Sequence, residues 1–484
     1  MLAAAAQGAL GQTAPTNKLE ASVGASVNFV DTQRANGNDE RGLVFQMRPG
    51  VSWASRTGRL RGTVNYAADL RHDTASSGSD INHFLDAAVT AEAIENWFYV
   101  DARASVARRP ASAFGVLGSP SGSTRDRGNE DDVATLTVRP FIRGILGGAV
   151  SYNVGAYSTT TRSRNSTLGD VDENGGDFAI SSVGGGLLGW GLNGSRQRAE
   201  FLSGRATVND RVVGNVSLRP DVDWLFVVRG GRETTDIVSL DKRSYNNWGA
   251  GLRWTPSPRT LLSADVDERF FGRSWALVLE HRLALSTLRL NSTRAASTSA
   301  TGFDGGAITV YQLFFAQFAS LQPDPVLRDL LVRDFLRRAG IDPDERVRGG
   351  SLNNAVSLQR RTDLSWTYAG TRLTLAVQVF SGDSTTLDTL APRLGDDRVS
   401  QRGVLASAGW RLSPTAIANL SLTHEQTADN GVRPGNDLNS IGLTVSDQIG
   451  PRTTASATAR LSRQSGGADS YRETAIGAAI SHRF

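Results

Sequence analysis

Cysteine is absent from this chain of 484 residues, which excludes a disulfide framework, a thiolate metal site and a thiol nucleophile. Lysine is nearly absent: Lys18 and Lys242 stand alone, and the other cations are arginine. No apolar run approaches the roughly 20 residues that a membrane-spanning helix needs. Hydrophobic residues are also scarce, at 39% against roughly 45–50% in ordinary globular domains. Charged residues, at 21%, are too few for a chain kept disordered by low hydrophobicity and high charge. The length exceeds what one soluble core organises. A closed sheet in lipid reconciles these absences, because only every second residue of a membrane strand must be apolar.

What is present is alternation. Leu19, Ala21, Val23, Ala25, Val27 and Phe29 alternate with Glu20, Ser22, Gly24, Ser26 and Asn28. Leu373, Leu375, Val377 and Val379 alternate with Arg372, Thr374 and Gln378. The same period of two recurs from residue 19 to the end, with turn residues between the runs. A sandwich alternates too, but in a much shorter chain. Connections fall into two classes. Short turns lie at 55–58, 95–96, 184–186, 220–223, 255–259, 369–370, 413–415 and 450–452. Longer polar stretches lie at 31–41, 72–80, 109–131, 160–176, 383–400 and 429–436. This predicts an all-β fold, a transmembrane antiparallel barrel of roughly 20–22 strands with short periplasmic turns and long outer loops. Residues 1–17 read as a signal-peptide remnant or a flexible tail, with no basic region at the start. Residues 18–300 and 351–484 hold barrel strands, and residues 301–350 form an insertion.

Seven of the nine tryptophans, Trp53, Trp97, Trp190, Trp224, Trp254, Trp366 and Trp410, stand beside short turns. Indole favours a membrane–water boundary, so these predict a periplasmic girdle. Trp248 and Trp275 fall elsewhere. Arginines scattered at alternate positions, with no basic stripe, argue against nucleic acid. Guanidinium groups suit a polar lumen, anionic sugars or lipopolysaccharide. Arg48, Arg61, Asp265, Asp267, Arg269, Arg289 and Arg372 are the candidates for facing lumen and polysaccharide. Asp265, Asp267 and Arg269 share one strand face, as do Glu280 and Arg282 on the next. A lining of paired charges suffices for them; a charge-selective constriction is the functional alternative.

Other motifs reduce to structure. Gly184, Gly186 and Gly189 match G-x-G-x-x-G, but strands flank them on both sides and no helix follows, so a hairpin outweighs a dinucleotide site. Asp170, Asp172, Asn174 and Gly175 begin like a calcium loop, yet position twelve is Ser181, and a solvated acidic loop is the stronger reading. The histidines His72, His83, His281, His424 and His482 have no metal-ligand spacing. Neither metal nor cofactor is expected, and no catalytic motif marks an enzyme.

One segment breaks the alternation. Residues 309–320 (TVYQLFFAQFAS) and 324–340 (DPVLRDLLVRDFLRRAG) read as two helices. Asp324 is placed to cap the second, with Pro325 first inside it and Gly340 as its stop. Leu327, Leu330, Leu331 and Phe335 form its apolar face, with Asp329/Arg333 and Asp334/Arg338 as i,i+4 pairs. Strand parity places the insertion on the outer side or folded back into the lumen; its helices could bury their faces on each other as a compact hairpin, or Phe314, Phe318, Leu327, Leu331 and Phe335 could gate or narrow the lumen or grip a partner.

Residues 189–201 (GWGLNGSRQRAEF), 248–281 (WGAGLRWTPSPRTLLSADVDERFFGRSWALVLEH) and 311–344 (beginning YQLFF and ending GIDP) resemble a β-barrel family associated with PEP-CTERM and exopolysaccharide systems of Gram-negative bacteria. The resemblance covers about the middle third and implies an outer-membrane role in polysaccharide export, without functional residues to carry over. The final strand, with Ile476, Ala478 and Ile480 and ending on Phe484, is similar to the terminal signal read by the barrel-assembly machinery, His482 being the departure. Expected partners are therefore outer-membrane lipid, lipopolysaccharide, that machinery, and polysaccharide with export components. The alternatives are a general or solute-specific porin and, behind it, a barrel-embedded hydrolase. The lack of a plug region before the first strand counts against a TonB-dependent receptor.

Overall fold

A computed structural model describes residues 16–484 apart from 77, 119–127, 185, 302–310, 312–313, 316–317, 319–321, 323, 340–349, 389–397 and 467–469. Twenty-two strands run from β1 (Thr16–Arg34) to β22 (Tyr471–Arg483). Every strand pairs antiparallel with its sequence neighbours, as in β1 with β2 (Glu40–Arg56). The ring closes where β22 pairs with β1, Ser22 opposite Arg483 and Arg34 opposite Tyr471. The Phe484 amide then donates to the Ala21 carbonyl (2.9 Å). The result is one closed up-and-down barrel, which leaves no unpaired edge in lipid.

Alternation fixes the two faces. On β1, Val27 and Phe29 point outward and are exposed, while Val30 and Thr32 on the other parity are buried. On β17 (Leu373–Thr386), Val379 is outward and Ala376, Gln378 and Phe380 are inward and buried. Outward parity carries most of the exposed Leu, Val, Ile and Phe side chains, the apolar belt expected of a wall against acyl chains.

The two classes of connection occupy opposite ends. Short turns join even-numbered strands to the next odd one, and both β1 and β22 have their outer chain ends at this level. The turn between β6 (Glu130–Leu146) and β7 (Val150–Ser163), absent from the sequence reading, contains Gly147 and Gly148 at φ 56° and 68°, a left-handed pair that only glycine adopts cheaply. At the other end, residues 160–176 are shorter as a loop than expected. Strands β7 and β8 (Val171–Ser182) extend through most of that stretch. One connection there is a tight turn, Phe270–Phe271 between β13 (Thr260–Arg269) and β14 (Gly272–Arg282), closed by Gly272 at φ 87°.

Six of the girdle tryptophans, all but Trp97, lie within three residues of a short-turn strand end, and Trp97 sits in the β4–β5 turn. Trp224 and Trp254 stack across the strands β11 (Trp224–Thr235) and β12 (Arg243–Ser257) at 5.3 Å. At the seam, Ile476, Ile480 and Phe484 are exposed on one parity, and His482 meets Phe484 edge-on at 4.9 Å.

The second predicted helix is α1 (Pro325–Ala339). Its cap is as expected, with the Leu327 amide donating to Asp324 Oδ1 at 3.2 Å. Most of the first predicted helix lies outside the described residues, as does Gly340; Tyr311, Phe314, Phe315 and Phe318 are described. The apolar face of α1 is rotated from the one expected. Leu331 is 43% exposed while Val332 and Leu336 are fully buried, and Leu327 is only half-buried. The cause is the partner surface: a broad apolar stripe offers two adjacent phases, and the wall selects the one facing it.

Candidate functional site

The insert hangs from the long-loop end, between β15 (Ser286–Ser297) and β16 (Ser357–Ala369), whose ends pair Ser297 with Ser357. It does not stay there. Phe314, Phe318, Val332 and Leu336 form a buried cluster with Ala376 and Phe380 of β17 and Leu405 of β18 (Arg398–Arg411), with Phe335 packed against it. These wall residues are all inward, so the insert fills part of the lumen. The four buried apolar side chains of the insert, each worth roughly 1.5–3 kcal/mol when buried, account for a stable dock. At the far end Asp324 forms an ion pair with Arg56, the last residue of β2, and Asp334 reaches Arg483 at the end of β22 (3.7 Å). Both partners stand at the short-turn end, so the insert traverses the barrel.

Polar contacts stiffen the insert itself. The Tyr311 hydroxyl donates to the buried Asp329 carboxylate, which also accepts from Arg333 Nε at 3.0 Å. Arg333 lies over the Tyr311 ring at 4.6 Å. Burial, reinforced by Asp329, raises the Tyr311 hydroxyl well above its usual range, so it remains a donor throughout neutral pH. Next to the dock, Phe314 and Phe335 face Arg372, Thr374, Ser407 and Arg411 across a small, partly open hollow.

A second inward fold, not anticipated by the sequence reading, comes from the connection between β5 (Phe98–Pro110) and β6. Val116 and Leu117 bury against Leu438 of β20 (Asn436–Gly450) and Tyr471 of β22. The Leu117 amide donates to Gln464 Oε1 (2.8 Å), and the Tyr471 hydroxyl donates to the Leu117 carbonyl (2.8 Å). Asn436 donates to the carbonyls of Ala113 (3.2 Å) and Gly115 (3.0 Å). The apolar run Phe114–Gly115–Val116–Leu117 inside a polar loop was the available signal, because such side chains are costly in water. The stems of the insert cross the same mouth. Thr298 donates to Glu173 of β8 (2.5 Å), the Leu352 amide donates to the Pro110 carbonyl (3.2 Å), and Ala300 and Val356 join Val171, Phe201 and Ile237 in an apolar cluster.

A few strands round the ring from the dock lies a charged wall. Arg229 of β11 pairs with Asp265 and, at 3.4 Å, with Asp267. Arg269 pairs with Glu233, Nε to Oε2 at 3.2 Å, and Asn247 donates to the same oxygen at 3.2 Å. Asp265, Asp267 and Arg269 are thus brought together, with Arg229 and Glu233 as the partners the sequence reading missed. On β14, Glu280 and Arg282 pair at 3.1 Å. The other four candidates stay apart. Arg48 lies over the Phe84 ring (5.0 Å), Arg61 is exposed at the start of β3 (Leu60–Asp73), Arg289 is directly opposite Glu280, and Arg372 lines the hollow. The supposed calcium loop is occupied otherwise: Asp172 is held by Arg162 (2.7 Å), and Asp170 accepts from the Ser163 amide (2.7 Å). Among the described residues no cluster of three acidic or histidine side chains could hold a metal.

The chain is a closed antiparallel β-barrel of 22 strands with an apolar outer face. No family model and no curated protein matches its sequence. Solved structures align with it over nearly its whole length. The siderophore receptor PirA of Pseudomonas aeruginosa is 9% identical, with 98% of this chain and 81% of that one covered and a TM-score of 0.44. The FrpB iron transporter of Neisseria meningitidis is 10% identical, covering 96% and 82%, with a TM-score of 0.46. OpdQ of Pseudomonas aeruginosa is 9% identical, covering 96% and 99%, with a TM-score of 0.34. Likeness at that level says nothing about substrate, and the lumen of this chain has to be read on its own terms.

Proposed function

We propose that the protein is an outer-membrane conduit for exopolysaccharide, held closed by residues 298–356 until an export partner or the polymer displaces them. The observation that carries this is the insert's position: an apolar dock in mid-lumen, with an acid–arginine contact at the short-turn end. A long hydrated polymer needs a wide lumen, and a wide lumen left open would dissipate the permeability barrier. A built-in plug answers that conflict. The polar and charged wall on β11 to β14 suits a hydrated chain. The resemblance of residues 311–344 to an exopolysaccharide-associated family supplies the substrate class. The inward β5–β6 connection favours a second reading, a solute-specific porin, since an inward loop is the usual way such channels are narrowed.

The test removes residues 304–348 and bridges them with a short Gly/Ser loop. The barrel is expected to assemble, with heat-modifiable migration intact, because no strand is lost. Single-channel conductance in planar bilayers should rise several-fold. A strain lacking the protein should lose surface polysaccharide. Unchanged conductance would remove the plug, and normal surface polysaccharide with impaired small-solute uptake would leave the porin reading.

A further inference from the structure

Outward-facing arginines toward the upper end of the apolar belt come in two kinds. Some directly face an acid: Arg41 and Asp31 pair across β2 and β1 at 2.6 Å, and Arg196 and Asp210 pair across β9 (Leu188–Phe201) and β10 (Ala206–Asp221) at 3.6 Å. Others face a second arginine on one side, whatever stands on the other. Arg294 of β15 is directly opposite Arg360 of β16, and Arg463 of β21 (Thr453–Ser465) is directly opposite Arg472 of β22. Like charges directly opposite are unfavourable in a sheet, and a register that brings two guanidinium groups together twice needs a compensating anion.

The first pair has a built surround. Both guanidinium groups lie over the Trp275 ring, Arg294 at 5.7 Å and Arg360 at 5.6 Å, and Arg294 also lies over Phe271 at 5.8 Å. Arg294 donates to the Arg273 carbonyl. The nearest carboxylates in register flank the pair instead of separating it. Asp383, opposite Arg360, accepts from Ser400 at 2.9 Å, and Glu268 is opposite Arg273. Neither forms an ion pair with Arg294 or Arg360 among the described residues.

Position identifies the anion. Arg360 stands eight residues along β16 from the outward Tyr368, about 27 Å of strand, which at a tilt of roughly 40° rises about 21 Å and brings it into the upper part of a belt about 25 Å tall. Below it on the outward face are Leu364 and Trp366, and below Arg294 are Leu290 and Leu288. Trp248, 67% exposed, and Trp275 lie toward this end and account for the two tryptophans outside the girdle, since indole marks either boundary. We propose that Arg294 and Arg360, with Trp275, form a binding site for the phosphate of an outer-leaflet lipopolysaccharide headgroup, and that Arg463 and Arg472 form a second one. The planar guanidinium forks take phosphate oxygens bidentately, and the apolar wall beneath takes the acyl chains.

The experiment uses the full-length protein in detergent, with native mass spectrometry and titration against three probes: bis-phosphorylated lipid A, the same lipid dephosphorylated, and inorganic phosphate. Lipid A is expected to bind, and its dephosphorylated form about tenfold or more weakly, in line with loss of charge-assisted contacts. Arg294→Gln with Arg360→Gln should reduce bound lipid A by one equivalent, and Arg463→Gln with Arg472→Gln should remove a second independently. Equal affinity for the phosphorylated and dephosphorylated lipids would overturn the proposal without any variant. Unchanged stoichiometry in both double variants would overturn it as well. Inorganic phosphate binding as tightly as lipid A would refute the headgroup as the source.

Discussion

Two stretches of the inner wall obey the same alternation and carry opposite chemistry. On β11 and β13 the inward positions include Arg229, Glu233, Asp265, Asp267 and Arg269, paired with one another. On β17 and β18 the inward positions include Ala376, Phe380 and Leu405, buried under the insert. Parity alone says only which residues point inward. The kind of residue at inward parity reports what lies in front of it, and an apolar inward patch in a large barrel marks the footprint of a plug.

The sharpest way to break that contrast is to empty the footprint. Phe380→Ala should weaken docking by about 3–5 kcal/mol, the usual cost of truncating a buried phenylalanine. Hydrogen exchange over α1 is expected to accelerate while the strands keep their protection. Equal acceleration in the strands would mean that Phe380 holds the barrel and not the insert. The next effect tests parity beneath the footprint. Val377→Arg, outward, should destabilise by about 2–4 kcal/mol near the midplane, whereas Thr374→Arg, inward beside the hollow, should cost much less in the same denaturation assay. Matching losses would put the register of β17 in error. The smallest effect belongs to the charged wall. Glu233→Gln leaves Arg269 without its carboxylate, an expected loss of about 1–3 kcal/mol, and in bilayers carrying the insert deletion it should shift ion selectivity toward anions. Unaltered selectivity would place this wall outside the permeation path.

Much of the barrel is legible in the sequence because lipid imposes a strict rule. Leu375, Val377 and Val379 have to share a face, and once Phe484 and the tryptophans mark one end, orientation follows. The site is less legible because protein–protein packing inside the lumen obeys no such period. Leu331 and Val332 are neighbours on α1, and only the position of Phe380 and Leu405 decides which of them is buried. Val116 and Leu117 sit in a loop whose polar flanks mask its inward course until Leu438 and Tyr471 are known to pack against it. Arg229 and Glu233 are separated in sequence from Asp265 and Arg269 by more than thirty positions and meet through the register of three strands.

The seam has a consequence for how the molecule comes together. Thr32 and Glu473 touch across it at 3.5 Å although 441 residues separate them. Loop closure over that span costs about 3 kcal/mol more than closing a single hairpin, by the logarithmic growth of the entropy penalty. The ring therefore seals last. Two contacts of the insert at the short-turn end fall on β2 and β22, the strands on either side of β1, so the insert bridges the join like a rivet. A chain that has already seated it holds both lips of the gap at the right spacing before the final ladder zips, and one that loses it should close more slowly.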